Sequence, residues 1–436
     1  MNLKNVATTG LKLNMQMPNA MEMSELLQRL IQKPSGNNFG FAREAAASII
    51  EERGLPGRKN EEYKYTNLSK ILERNFGEFA GNEESAADLS ALIPTLSENQ
   101  LVFINGILSE ELSNYNLPEG ISVSSIEDSK ELIAKDVDAK SDEFLLLNTS
   151  SLNTGIAINI AKSAVIETPV VLIHITDSSK NQAVAHPRVL VNGAKNTQAI
   201  IAEIFIGVGD ALSFTNAVTE INCAANSNLS YIKIGNENGN QLHVGNTQVN
   251  VAEKAVFNAM TVNFGGKMVR NNLHISLNGS HSEANLNGLY VTDNKEHIDN
   301  HTVVDHKVPN CNSNELYKGI MNGSSTGIFN GKIYVRQDAQ VTNAFQSNKN
   351  ILLSDNATIN TKPQLEIWAD DVKCSHGCTT GKLDKEQLFY LRARGIGEHS
   401  AKLMLLDAYA NEVIERIKDE NLRTYVQGIL HTKIDE

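Results

Sequence analysis

The feature that most constrains this chain is a long region, from about residue 185 to 372, made of short apolar segments separated by polar corners. The apolar residues alternate over four to seven positions, and about one residue in six is Asn. Asn tolerates a left-handed backbone and hydrogen-bonds its own turn, so it suits sharp corners between strands. The clearest strand segments are Val189–Val191, Ile200–Ile206, Leu229–Ile234, Leu273–Leu277, Leu286–Val291, Ile328–Val335 and Ile351–Leu353.

Many short strands without long intervening helices exclude ordinary βαβ units and leave two architectures, a β-solenoid and a β-sandwich. The solenoid is favoured, because Asn-Gly dipeptides are not spaced as a regular series of hairpins requires. We therefore predict a mainly β fold with three parts. These are a mostly helical N-terminal region at 1–98, a β core at 99–372 with a leading segment of about 99–155, and a C-terminal helical domain at 373–436.

Helical periodicity flanks the β region on both sides. The C-terminal helices are expected to cover one end of the solenoid and to protect its exposed strand edge. Gly395 is a plausible stop for the first of them. The predicted helices are Met21–Gln32, Ala42–Arg53, Asn67–Asn75, Asp384–Arg394, Ser400–Ile417 and Leu422–Leu430.

Charge and cysteine content limit the classes of function. The chain has 51 acidic and 39 basic residues and a formal net charge of −12, which argues against a dedicated nucleic-acid binder. Four cysteines are too few for a disulfide framework and suit a reducing compartment. Because we find neither a long apolar run nor a secretory signal pattern, we expect a cytoplasmic protein without a membrane span.

The densest group of reactive side chains is Cys374, His376 and Cys378. If this segment is a strand, these alternate residues face the same side. Thiolate and imidazole are ligands for zinc, copper or iron. On spacing alone, a metal site and a solvent-exposed end of the solenoid with incidental thiols are about equally favoured. A zinc site also needs a fourth ligand, and this spacing is not that of a standard zinc knuckle.

Two further groups of residues have a structural interpretation that is preferred over a functional one. His297, His301, His306 and Cys311 could bind a metal, but corner or buried histidines bonded to backbone are the favoured interpretation. Paired carboxylates are typical of glycan-cleaving enzymes, yet solvated acids on an acidic protein explain the candidates better. Those candidates are Asp293, Glu296, Asp299, Asp305, Asp370 and Asp371.

Several sequence blocks resemble the SufB/SufD family of iron–sulfur cluster assembly proteins. The resemblance covers most of the chain from about residue 54 to 417, and the Arg58–Thr66 block and the Lys-Pro-Gln-Leu-Glu segment favour its SufD branch. Two positions depart from the family pattern: Tyr63 stands where Trp is common, and Cys378 where Ala is common. The blocks are Arg58–Thr66, His186–Leu190, Phe329–Val335, Ala339–Gln346, Thr361–Ile367, Asp370–Gly377 and Leu388–Ile396.

The resemblance implies a right-handed parallel β-helix flanked by helical regions, in a non-catalytic scaffold subunit. It implies pairing with a SufB-like subunit through the end of the β-helix, and docking of a SufC-like ABC ATPase on the C-terminal helices, about 384–430. It further implies that His376 contributes to a nascent iron–sulfur cluster at the SufB–SufD interface, and that Cys374 matches the neighbouring family cysteine. Cys378 is then either an extra ligand or a small-residue replacement, and the replacement is favoured.

Under this interpretation the isolated chain holds no tightly bound metal and no permanent cofactor, because one histidine offered across an interface cannot hold a cluster alone. A homodimer of the isolated chain stays open as an alternative. Two other functions are also weighed: a β-helix enzyme acting on a glycan, and a standalone metal-binding protein that uses Cys374, His376 and Cys378.

Overall fold

The structure is a computed structural model that describes residues 25–31, 39–75, 89–133 and 141–435. It is mainly β, with a β-solenoid of about eight turns and helices at both chain ends, which confirms the predicted fold class. The first residues of the predicted helix Met21–Gln32 lie outside the described residues.

The described strands begin at residue 99. In chain order they are β1 (Asn99–Ile104), β2 (Ile107–Tyr115), β3 (Ile121–Ser125), β4 (Ile156–Ile160), β5 (Val170–Asp177), β6 (Ala183–Ala185), β7 (Arg188–Gly193), β8 (Gln198–Val208), β9 (Ser213–Cys223), β10 (Asn228–Asn236), β11 (Gln241–Val251), β12 (Val256–Asn263), β13 (Met268–Leu277), β14 (Glu283–Thr292), β15 (His297–His306), β16 (Asn312–Met321), β17 (Thr326–Val335), β18 (Thr342–Leu352), β19 (Thr358–Ile367) and β20 (Val372–Gly381).

The α-helices agree with the predicted ones within a few residues, except that α4 was not predicted. Gly395 follows α5 with a left-handed φ of 87°, as its predicted role as a helix stop requires. The helices are α1 (Glu25–Leu30), α2 (Gly40–Arg53), α3 (Leu68–Asn75), α4 (Glu143–Ser150), α5 (Lys385–Ala393), α6 (Glu398–Ile414) and α7 (Glu420–Asp435).

Each turn of the solenoid contributes one strand to each of two sheets. The first sheet runs β2-β1-β5-β8-β10-β12-β14-β16-β18-β20, and the second runs β19-β17-β15-β13-β11-β9-β7-β4-β3. From β5 to β20 in the first sheet, neighbouring strands are parallel and in continuous register. Equivalent positions of successive turns therefore stack along the solenoid axis.

Helices cover the outer faces of both sheets. In the first sheet, outward apolar residues such as Ile204 and Leu289 pack against α6 and α7, which contribute Leu406 and Val426. In the second sheet, Phe214 and its neighbours pack against the N-terminal helices. The expectation that the C-terminal helices cover an end of the solenoid is therefore wrong. Their apolar residues are buried against a sheet face, which offers more apolar area than a strand edge.

Asparagines occupy many of the corners, as the sequence predicts. Five of the nine described non-glycine residues with positive φ are Asn105, Asn196, Asn226, Asn294 and Asn310. Asparagine side chains also form a hydrogen-bonded ladder along the second sheet, with donor–acceptor distances of 2.9 to 3.4 Å. Its members are Asn159, Asn192, Asn222, Asn250 and Asn278.

The last solenoid strand extends to Gly381, and the first C-terminal helix begins at Lys385. The boundary drawn at 372/373 thus falls at the beginning of β20, so residues 373–381 are strand and not helix. None of the helices in the described ranges is long and apolar enough to span a membrane.

Candidate functional site at the open end of the solenoid

Among the described residues, the last turn of the solenoid packs against the preceding turn on one side and has no neighbouring turn on the other. Strand β20 is the last strand of the first sheet, and β19 is the last strand of the second. In the part of the chain that the structure describes, no further strand follows either of them. The free edge of β20 therefore presents unpaired backbone N–H and C=O groups, a ready template for another chain.

The three predicted ligand residues all lie on β20 and share one face, as their alternation predicts. Their register partners on β18 are buried side chains that point into the solenoid. The face that carries the three residues is thus the inner face of the last turn, and it is exposed because the solenoid stops there. The pairs are Cys374 with Ala344, His376 with Gln346, and Cys378 with Asn348.

Exposure differs among the three residues. His376 and Cys378 are exposed, whereas Cys374 is half-buried and packs against the edge of the apolar interior. Partial burial raises the pKa of the Cys374 thiol, because the thiolate loses water. The Cys378 thiol lies 3.8 Å from Oδ1 of Asn348. A thiol of raised pKa is a poor ligand until a metal or a positive partner displaces its proton.

The structure does not form a metal site from these residues alone. Alternate residues of a strand are about 6.6 Å apart along the chain, too far for three of them to bind one ion. Among the described residues, no three His, Cys, Asp or Glu side chains converge to hold a metal. Any metal centre that uses His376 or Cys374 therefore needs ligands from elsewhere.

The interior behind this face is polar. Gln346 and Asn348 are buried in β18, and Glu315 and Tyr317 lie behind them in β16. Gln346 Nε2 donates to Glu315 Oε2 at 2.7 Å, while Asn348 Nδ2 donates to Tyr290 Oη at 3.2 Å. Burial raises the pKa of Glu315 from 4.5 to about 7.

An aromatic and apolar surface borders the open end. Trp368, half-exposed after β19, stacks on Tyr334 with a ring separation of 6.2 Å. Arg336 lies over the Tyr334 ring, 4.7 Å from its centroid, and donates to Asp305. Three further apolar side chains of the last two turns are exposed: Val341, Phe345 and Ile367. Aromatic and Arg side chains with apolar neighbours are enriched at protein interfaces.

The second histidine group has a structural role. His297 lies 3.0 Å from the Thr66 hydroxyl, and His301 Nδ1 lies 3.4 Å from Glu62 Oε2, so both connect the N-terminal segment to β15. His306 is buried against Ser313, and burial lowers its pKa to about 4. Cys311 is buried in a corner. These residues do not converge on one point. The three histidines contact mainly side chains, whereas the sequence predicts backbone partners.

Three of the six acidic candidates for glycan cleavage are used in ion pairs. Asp299 pairs with the buried Arg270, Asp305 with Arg336, and Glu296 with Lys433. The backbone N–H groups of Asp370 and Asp371 donate to Gln340. A carboxylate held by a cation in this way is a poor general acid or base, so these three paired residues give glycan cleavage no support.

The C-terminal helices present a second exposed surface. No side chain of α5 is buried, and Phe389 and Tyr390 are 74% and 57% exposed. Met404 of α6 is half-exposed. Large apolar side chains on the surface of a well-packed helical region indicate a contact surface for another protein.

Comparison with known families completes the description of the site. The SufBD core domain of the SUF iron–sulfur cluster assembly system matches residues 174–409, and the SufBD N-terminal region matches residues 20–172. The chain belongs to the SufBD family. The match to the core domain includes both Cys374 and His376.

Individual SufBD relatives span nearly the whole chain. It is 37% identical to the iron–sulfur cluster assembly protein SufD of Escherichia coli (strain K12), over 86% of this chain and 88% of that protein. It is 31% identical to a SufBD family protein of Synechocystis sp., over 86% of each. Protein ABCI7, chloroplastic, of Arabidopsis thaliana is 26% identical over 95% of this chain and 91% of its own length. Such SufBD membership assigns the chain to iron–sulfur cluster assembly.

Proposed function

We propose that this chain is a non-catalytic scaffold subunit of a SufBCD-type complex. In this proposal a SufB-like subunit pairs with the open end of the solenoid, and a SufC-like ABC ATPase docks on the C-terminal helices. A nascent iron–sulfur cluster forms at the interface with the SufB-like subunit. The cluster is cargo, so the isolated chain keeps no permanent cofactor and no tightly bound metal.

The observation that carries the proposal is the exposure of the inner face of the last turn. An interior face with Cys374, His376 and Cys378 would be covered if the solenoid had another turn. Since β20 also has a free edge, a partner strand can pair with it and cover the same face. The same partner strand would then pair with the backbone of β20 and enclose its side chains.

The chemistry of His376 fits a shared site. A neutral imidazole binds iron through one ring nitrogen, and its exposure on β20 leaves it accessible to a group on the partner. Cys374 lies two residues away on the same face and supplies a thiolate once its proton is displaced. Cys378 remains an alternative ligand in this position, with replacement of a small residue as the favoured explanation.

The helical surface supports the second contact. Phe389 and Tyr390 lie on α5, which follows β20 after three residues. A partner bound to α5 therefore contacts a helix that is separated from the His376 strand by only three residues of chain. Movement of an ATP-driven partner could change the exposure of that strand, as an interface transition requires.

Co-expression with SufB-like and SufC-like subunits tests the proposal. We expect the three subunits to elute together in gel filtration. The complex should form a cluster when iron, a sulfur donor and ATP are added. Turnover of a glycan by the isolated chain would support the enzyme alternative and contradict the proposal. A stoichiometric metal in the isolated chain would support the standalone metal-binding alternative. A homodimer that dissociates when the SufB-like subunit is added would be consistent with a shared open end.

A further inference from the structure

Glu315, Gln346 and His376 form a row across three neighbouring strands. Glu315 of β16 is the register partner of Gln346 of β18, and Gln346 is the register partner of His376 of β20. All three lie on the inner face of the first sheet. Neighbouring strands are about 4.8 Å apart, so a side chain in this row reaches the next one directly.

Glu315 and Gln346, the first two residues of the row, are joined by a hydrogen bond. Gln346 is 3% exposed and Glu315 is 5% exposed, and Gln346 Nε2 donates to Glu315 Oε2 at 2.7 Å. A glutamate oxygen can accept this bond in either protonation state, so the NH₂ end of the Gln346 amide is directed at Glu315. The opposite end of the amide, Oε1, must then point elsewhere.

Gln346 Oε1 is a buried acceptor without a hydrogen-bond partner among the described atoms. A buried acceptor left unpaired costs free energy, so it is a place where a donor is missing. The Gln346 amide packs against Gly331 of β17, where a side chain would not fit: a Cβ atom on residue 331 would lie 2.2 Å from Gln346 Nε2. The amide is thus held in place from two sides, and the next residue in its row is His376.

We propose that Gln346 is a positioning residue for His376, with Glu315 orienting the amide. The exposed His376 ring turns inward so that one imidazole N–H donates to Gln346 Oε1, and this bond selects the tautomer. The other ring nitrogen is then deprotonated and directed outward, as a metal ligand requires. Histidines that bind metals generally donate their second N–H to an acceptor, and that acceptor fixes the ring.

The inference rests on the proposed role of His376 and adds the residues that prepare it. The neighbouring row shows the contrast. Asn348 Oδ1, behind Cys378, already accepts a hydrogen bond from Asn350 Nδ2 at 2.6 Å. Gln346 therefore offers a vacant acceptor where Asn348 offers an occupied one.

Nitrogen NMR of the full chain with ¹⁵N-labelled histidine measures the tautomer directly. The His376 signals are identified by their loss in His376→Ala, and spectra are recorded at pH 8.5, above the ordinary titration range of an imidazole. We expect one dominant tautomer in the unmodified chain. We expect Gln346→Met to change the tautomer ratio by about fivefold, as one net hydrogen bond implies.

An exchange of the two partners provides the matched control. In Glu315→Gln alone, residue 315 can both donate and accept, so either end of the Gln346 amide can face it and the tautomer preference should fall. The double variant Glu315→Gln/Gln346→Glu restores a donor–acceptor pair of the same volume and charge, with a free oxygen on the His376 side. It should therefore recover the original ratio. If Gln346→Met does not fold, this pair of near-isosteric variants still decides the question.

An unchanged His376 tautomer ratio in Gln346→Met and in Glu315→Gln overturns the inference. So does a double exchange that fails to restore a ratio lost in Glu315→Gln. Because the measurement needs no partner and no cluster, its failure is distinct from failure of the scaffold role. Loss of that role would appear as normal cluster assembly in His376→Ala with the NMR result intact.

Discussion

The guanidinium of Arg270 lies over the ring of Tyr63, with its Cζ atom 3.8 Å from the ring centroid. Both side chains are fully buried, and Arg270 also pairs with Asp299 at 2.9 Å. The Tyr63 hydroxyl donates to Asp142 at 2.5 Å. One aromatic ring of the N-terminal segment thus covers a buried charge on β13, which holds that segment against the outer face of the second sheet.

Replacement of Tyr63 by Leu should therefore destabilise the docking of the N-terminal segment. The loss of a buried ring and of a cation–π contact is expected to cost about 2–4 kcal/mol in the free energy of unfolding. Urea unfolding of Tyr63→Leu measures this loss. Tyr65→Leu is the matched control, because Tyr65 is 48% exposed two residues away. Equal stability of the two variants would contradict the anchoring role.

Glu315 should make the chain less stable as the pH rises. Burial raises its pKa from 4.5 to about 7, so between these values the folded chain keeps a proton that the unfolded chain has released. Stability from this group is fully present below pH 4.5 and is lost as the pH rises through 7. The loss amounts to about 3 kcal/mol.

The variant Glu315→Gln removes this titration but keeps the shape of the side chain. The difference in unfolding free energy between the variant and the unmodified chain should thus shift by about 3 kcal/mol in favour of the variant from pH 4 to pH 8. All other titrating groups are common to both proteins and cancel. Urea unfolding over this range measures the difference, and a constant difference would show that Glu315 titrates normally.

The α5 surface should bind the ATPase partner through its aromatic residues. Phe389→Asp places a charge at a side chain that is 74% exposed, so the fold should be kept while the apolar contact is lost. Loss of such a contact residue commonly weakens binding by about thirtyfold. Calorimetric titration with a SufC-like ATPase measures the affinity. Ile107→Asp, at an exposed residue of β2, is the control and should bind normally; equal affinities would place the contact elsewhere.

The sequence predicted the elements whose side chains are buried on a regular pattern. Strands such as β10 and β13 alternate apolar and polar residues over part of their length, because their inward side chains pack in the solenoid interior. The predicted boundary assigns most of the last strand to the helical domain, because the inner face of β20 has no covering turn and carries Cys374, His376 and Thr380 in place of apolar residues. The apolar pattern is absent because this face of β20 is exposed, and the exposed face is the candidate functional site.

The polar interior was the part that a single sequence could not reveal. Glu315 and Gln346 occur in different turns, 31 residues apart, and become neighbours only through the register of β16 and β18. A glutamate in an alternating strand is ordinarily assigned to the solvent face. The asparagine ladder depends on the same kind of register, so the sequence predicts asparagine corners but not the hydrogen bonds between asparagines of successive turns.

The central claim is that His376 contributes to cluster assembly at a shared open end. Cluster yield in the complex reconstituted with SufB-like and SufC-like subunits tests it most directly. His281→Asn is the matched control, an exposed corner histidine whose left-handed φ of 61° suits Asn. We predict that His376→Ala leaves the complex assembled but lowers the cluster yield by at least about tenfold, with the control unchanged. A full cluster yield with His376→Ala would contradict the account.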